Sequence, residues 1–255
     1  MHFGIWQEKK SPVCAASSSD HPKIRGVTNK EKMLSIRVPG KVVWLGEHAV
    51  QQGATAVGSA INVYATATYD GSEAEQLDEA ARDVWYAVFE ALDVAPLPVA
   101  GVRLVSEIPT GMGLGSSSAV TVALAALALH LLHREASHAH VFRLARDVER
   151  RLSGASGLDA ALCVYGTVAF TAPDDVRPTR FAPACSVVFT RTPHAATCVE
   201  PLAPHIAAAI GALPHAPASM PRAHDLLEEA GLGWTEAASA RAVVPRLKMT
   251  GRGRG

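Results

Sequence analysis

The segment IPTGMGLGSSSAVTVA, residues 108–123, alternates three glycines (Gly111, Gly113, Gly115) with Met112 and Leu114. It then runs through Ser116, Ser117 and Ser118 into an apolar stretch that ends near residue 133. Glycine takes left-handed dihedrals without penalty and lets a ligand approach the backbone closely. The first amides of the helix that follows have no internal partner and carry partial positive charge. Together these features make an anion site, with serine hydroxyls available to cap amides or to coordinate a cation. The pattern is not the P-loop, because no Gly-Lys-Ser/Thr follows. Nor is it G-x-G-x-x-G, because the position three after Gly113 is Ser116. The same residues would also build a plain strand-to-helix turn with serine caps.

Working outward, LSIRV and VVWLG flank Pro39-Gly40-Lys41, which predicts a strand pair around a turn. Between Ile61 and Asp70, Ile61, Val63, Ala65, Ala67 and Tyr69 alternate with Asn62, Tyr64, Thr66 and Thr68, the pattern of a half-exposed strand. Leu77, Ala81, Val84, Val88 and Leu92 predict an amphipathic helix over 73–93, and 102–106 is a short strand. Val141, Leu144, Val148 and Leu152 mark a helix that ends in a Gly/Ser-rich loop before Leu158-Asp159-Ala160-Ala161-Leu162. Strands are expected at 164–171 and 186–191, and helices at 200–212 and 220–230. The elements mix without regular strand–helix alternation, which argues an α+β fold over a doubly wound sheet. Residues 1–32 are polar and aperiodic and read as a disordered extension.

The 255 residues are 48% apolar and 19% charged, enough to bury a sizeable core. Lys+Arg and Asp+Glu both number 24, so no basic field exists to hold nucleic acid. The longest stretch without formal charge, 108–133, is Gly/Ser-rich in its first half. Its apolar part, Ala119 to Leu132, falls short of the roughly 20 residues a membrane span needs and reads as a buried core helix. Asp20 and Glu31 argue against a signal peptide. Cys14, Cys163, Cys185 and Cys198 form no CxxC pair, which fits a reduced, cytoplasmic setting. His130, His133, His138 and His140 lie close in sequence, but no acidic or cysteine ligand joins them at matching spacing. Trp44, Trp85 and Trp234 are expected to fill core or interface positions.

Three segments taken in order, VPGKVVWLGEHAV (38–50), IPTGMGLGSSSAVTVA (108–123) and LKMTGRGRG (247–255), resemble the motifs of the GHMP kinase superfamily. That family is named for galactokinase, homoserine kinase, mevalonate kinase and phosphomevalonate kinase. SGASGLDAALCVYG (153–166) and VVFTRTPHAATCVEPL (187–202) look most like the mevalonate kinase branch. The resemblance implies a two-domain α+β fold. An S5-domain-2-like ATP-binding domain would occupy 33–180, and a partial ferredoxin-like domain 181–255. It implies ATP and Mg2+ as cofactors and a small-molecule alcohol, mevalonate foremost, as substrate. It implies neither nucleic acid nor membrane as partner, and a homodimer as the assembly to test for.

Phosphoryl transfer needs positioning, charge neutralisation and a group that accepts the hydroxyl proton. By the resemblance, Asp159 is that base and Lys41 its cation. Gly111, Gly113, Leu114, Gly115, Ser116, Ser117 and Ser118 form the ATP loop. Ser117 and Glu149 hold the metal, and Glu47, His48 and Thr197 face the substrate. Each has a plainer reading: Asp159 a surface helix cap, Lys41 a turn lysine, Glu149 a solvated glutamate, His48 a satisfied core histidine. The chain departs from the family at Ala155, Ala160, Ala195-Ala196, Arg252 and Arg254, and it ends at Gly255, within the third motif. Phosphomevalonate kinase, another superfamily member, and a truncated, non-catalytic binding paralogue are therefore carried as alternatives.

Overall fold

The computed structural model describes residues 33–179, 203–214 and 217–230. Its centre is an antiparallel sheet organised on one long strand. β1 (Leu34–Leu45) pairs along its whole length with β2 (Ala56–Tyr69), from Leu34 opposite Tyr69 to Leu45 opposite Val57. β3 (Val102–Ser106) lies on the other side of β2 at its distal end. β4 (Val168–Ala172) lies on that side at the proximal end, with β5 (Asp175–Pro178) beyond it. The alternation read from sequence is present, since Ala65 and Ala67 are buried between partly exposed threonines, but the strand begins five residues before Ile61.

Pro39-Gly40 does not make the predicted turn. The strand runs straight through it with a shift of register between Pro39 and Lys41. A proline has no amide to give to a ladder, and a bulge is where a sheet tolerates that loss. Gly40 is needed there for a second reason: a Cβ would sit 2.8 Å from the Leu114 carbonyl oxygen. The reversal between β1 and β2 is instead made at Ala49–Gln52, a short 3-10 turn closed by Gly53 at φ 83°.

The helices pack around α2 (Ser116–Leu131), which is buried from Ala119 to Leu129 apart from Val120. It touches β1 and β2 as well as α1 (Glu79–Ala91), α3 (His138–Ser153) and α4 (Leu158–Tyr165). α1 starts six residues later than predicted because Asp78 caps it, its carboxylate accepting from the Ala81 amide at 2.8 Å. Trp85 is fully buried beside Phe89, their rings edge to face at 5.0 Å, and its indole N–H donates to the Leu97 carbonyl. Trp44 is buried too and donates to Ser59 Oγ at 2.9 Å. Leu152, expected on the apolar face of α3, is 52% exposed. α4 continues through Tyr165 to Gly166, so β4 begins at Val168 and not at 164.

α5 (Pro204–Gly211) and α6 (Met220–Glu229) form a smaller cluster in which Ile206, Ile210, Leu226 and Leu227 close over Ala49. The extension 1–32, the strand expected at 186–191, Thr197, Trp234, the third motif and the boundary at 180/181 lie outside the described residues. Among the described residues no helix is long and apolar enough to cross a membrane.

Candidate active site

The bulge at Gly40 delivers the next residue inward. The Lys41 side chain is 4% exposed, and its Nζ meets Asp159 Oδ2 at 2.9 Å. On its other side the Lys41 amide donates to the Leu114 carbonyl at 2.9 Å, so the glycine loop is fastened to β1 at this residue. Asp159 stands in the first turn of α4, where the helix end favours a negative charge, and 37% of its side chain is exposed. The turn ahead of it depends on Gly157, at φ 93°, where a Cβ would come within 2.8 Å of Arg146 Cγ.

Gly111, Gly113 and Gly115 all have positive φ, at 78°, 70° and 75°. Gly115 occupies the N-cap of α2 and offers no side chain there, so the first amides of the helix are not capped from that position. Leu114 and Ser116 do not line the cavity in front of the loop. Leu114 is buried in the core and anchors the loop from behind. Ser117 is exposed and Ser118 buried, and both line the cavity.

Glu149, from α3, is 5% exposed, and neither carboxylate oxygen has a hydrogen-bond partner of good geometry within the protein. Burial pushes its pKa up to about 7. The neighbouring Ser118 hydroxyl and Lys41 work against that rise, while Asp159 adds to it. The serine closest in effect to Glu149 is thus Ser118, where the resemblance implies Ser117 alone. A buried acid with two unpartnered oxygens beside serine hydroxyls is a donor set suited to a hard divalent cation.

These groups line one cavity of about 400 Å3. Lys41, Asp159, Glu149, the three loop glycines, Ser117 and Ser118 share it with Glu47 and His48, which precede the turn at Ala49. His48 is buried and Glu47 half-buried. Gln51, Ser153 and Ser156 also line it, and the sequence reading did not single them out. Ser156 alone carried a hint: it stands two residues before Leu158, the reach of a serine turn, and its hydroxyl accepts from that amide at 3.3 Å. A larger hollow of about 660 Å3 lies between α3 and the β4–β5 hairpin. None of the residues singled out from sequence reaches it, and Phe142, Tyr165, Val168 and Val176 form much of its wall.

Known proteins resemble the chain both in sequence and in fold. Residues 79–167 match the family of GHMP kinases N terminal domains, a span that includes the glycine loop, Glu149 and Asp159. Mevalonate kinase from Archaeoglobus fulgidus is 35% identical over 139 residues, covering 50% of this chain and 49% of its own length. Mevalonate kinase from Pyrococcus horikoshii is 31% identical over 167 residues, covering 53% and 50%. The chain spans about half the length of these curated relatives. The crystal structure of Methanococcus jannaschii mevalonate kinase superposes with a TM-score of 0.68 at 18% identity, over 89% of this chain and 90% of that one. L. major mevalonate kinase in complex with R-mevalonate gives 0.61 at 18% identity, over 86% and 84%. At that identity the likeness speaks to the fold, and the sequence matches speak to the domain. The chain has the α+β fold of these mevalonate kinase structures, and its residues 79–167 match the amino-terminal domain of the GHMP kinases.

Proposed function

We propose that this chain is an ATP- and Mg2+-dependent small-molecule kinase that phosphorylates the 5-hydroxyl of mevalonate. The observation that carries the reading is the Lys41–Asp159 pair at 2.9 Å, set in the same cavity as an uncapped helix start and an unpartnered buried glutamate. An alcohol is far too weak an acid to be ionised near neutrality, so a group must take its proton as phosphorus is attacked. Asp159 accepts that proton on a carboxylate oxygen while the acceptor oxygen bonds to the γ-phosphorus and the bond to the departing ADP breaks. Lys41 holds the carboxylate in place through its ammonium. The amides of Gly113, Gly115 and Ser117 receive the phosphates. Glu149, with Ser117 and Ser118, would hold Mg2+, which when bound neutralises charge on the transferring group. Glu47 and His48 face the acceptor.

The test is an ADP-release assay with MgATP and, in turn, mevalonate, phosphomevalonate, homoserine and galactose. Mevalonate alone should support turnover. Turnover with a different member of the set would move the acceptor assignment. No turnover with any of them would leave a binding protein and contradict the reading.

A further inference from the structure

Gly115 has a second task that the reading of a phosphate loop does not contain. A Cβ built on it would lie 2.6 Å from Lys41 Cγ, 3.0 Å from Cε and 3.3 Å from Cδ. The lysine stem therefore crosses directly over the α-carbon that begins α2. It has little freedom to move aside, because the side chain is 4% exposed and its Nζ is held by Asp159. Behind it, the Lys41 amide is bonded to the Leu114 carbonyl, and Gly40 abuts the same oxygen. Two glycines thus bracket Lys41 between the bulge of β1 and the start of α2.

We propose that Gly115 is a positioning residue: only a glycine at this α-carbon lets the buried Lys41 stem pass over the loop and reach Asp159. The loop that would receive the phosphates and the pair that would receive the proton are then one packed unit. Gly111 supplies the contrast within the same loop. Its φ of 78° matches the 75° of Gly115, yet a Cβ there would meet nothing within 4 Å. Replacing either glycine by alanine brings the same left-handed strain. Only the one at 115 strikes the lysine.

The consequence for turnover rests on the kinase reading, but the geometry does not, so the primary measurement is independent of activity. The sequence contains seven lysines, few enough to follow by NMR in the full chain labelled with 13C,15N-lysine. The Lys41 ε-methylene signal is identified by its loss in Lys41→Arg. Asp159→Asn should displace it, Gly115→Ala should displace it comparably, and Gly111→Ala should leave it in place. An unmoved Lys41 signal in Gly115→Ala overturns the proposal, as does an unmoved signal in Asp159→Asn.

Melting temperatures cover the case in which Gly115→Ala folds poorly. The loss caused by Gly115→Ala should shrink in a Lys41→Ala background, where the stem is gone. Equal losses in both backgrounds contradict a steric clash. In the kinase assay Gly115→Ala should lower kcat about 10²-fold, the scale of a displacement on the order of 1 Å, with the mevalonate KM little changed. A displaced Lys41 signal with no wild-type turnover would sink the kinase reading and keep this one. An undisplaced signal with normal turnover would do the reverse.

Discussion

Lys41 and Asp159 are unequally placed, one almost wholly buried and the other more than a third exposed. Burying an ammonium costs more than an ion pair with a hydrated partner returns, so the pair is a poor device for stability. Lys41→Met keeps the apolar stem and removes the charge. It should leave the melting temperature equal or higher while lowering turnover by about 10² to 10³, as loss of a preorganised charged donor does. A marked fall in melting temperature would show that the pair is structural. Glu149 makes a further prediction at this scale. Its pKa is raised by burial to about 7 from an ordinary 4.5, so the folded state holds its proton where the unfolded state has released it. Stability from this group is full below about 4.5 and is lost as pH rises through about 7. The whole shift amounts to about 3 kcal/mol at 1.36 kcal/mol per unit. Metal-free wild type should lose melting temperature across that window, and Glu149→Gln should not. Parallel profiles for the two proteins would remove Glu149 as a buried, uncompensated acid.

α2 is the element on which both sheet and site depend. Its first turn faces the cavity, and its middle is enclosed by β1, β2, α1, α3 and α4. Leu127 is fully buried there, so Leu127→Ala should cost about 2–5 kcal/mol of unfolding free energy by chemical denaturation. A loss below 1 kcal/mol would contradict the central placing of the helix. This element was legible in the sequence because glycines, serines and an apolar run follow one another without a break. Its burial was legible as well, since a helix apolar all round belongs in a core, but which elements enclose it was not, since such a helix has no single face to read. Pro39-Gly40 misled for the opposite reason. Proline-glycine is turn chemistry, but the same two residues suit a bulge in which one lacks an amide and the other lacks a side chain. The late start of α1 was within reach, because Asp78 stands three residues before Ala81 as an N-cap would. That Ser118 neighbours Glu149 was out of reach, because it depends on how α2 is rotated against α3.

At the scale of the molecule, the cavity is assembled from parts that are remote along the chain: the bulge of β1, the segment before Ala49, the start of α2, the last turns of α3 and the first of α4. Composition and periodicity gave no distance between any two of them. Motif resemblance suggested that they meet, and the folded chain brings Lys41 to 2.9 Å of Asp159 and sets Glu149 beside both. Thr197 and the third motif contribute nothing to this picture, since they lie outside the described residues. The proposed function assigns these groups one division of labour, in which the loop would hold phosphates, Glu149 a cation and Asp159 a proton. The division is tested most directly at Asp159, because Asp159→Asn keeps shape and removes the basic oxygen. The measurement is kcat with mevalonate and Kd for ATP, wild type against Asp159→Asn. The account predicts a fall of about 10² to 10⁴ in kcat, the range of general acid–base catalysis, with Kd for ATP retained. Equal turnover in the two proteins would contradict it.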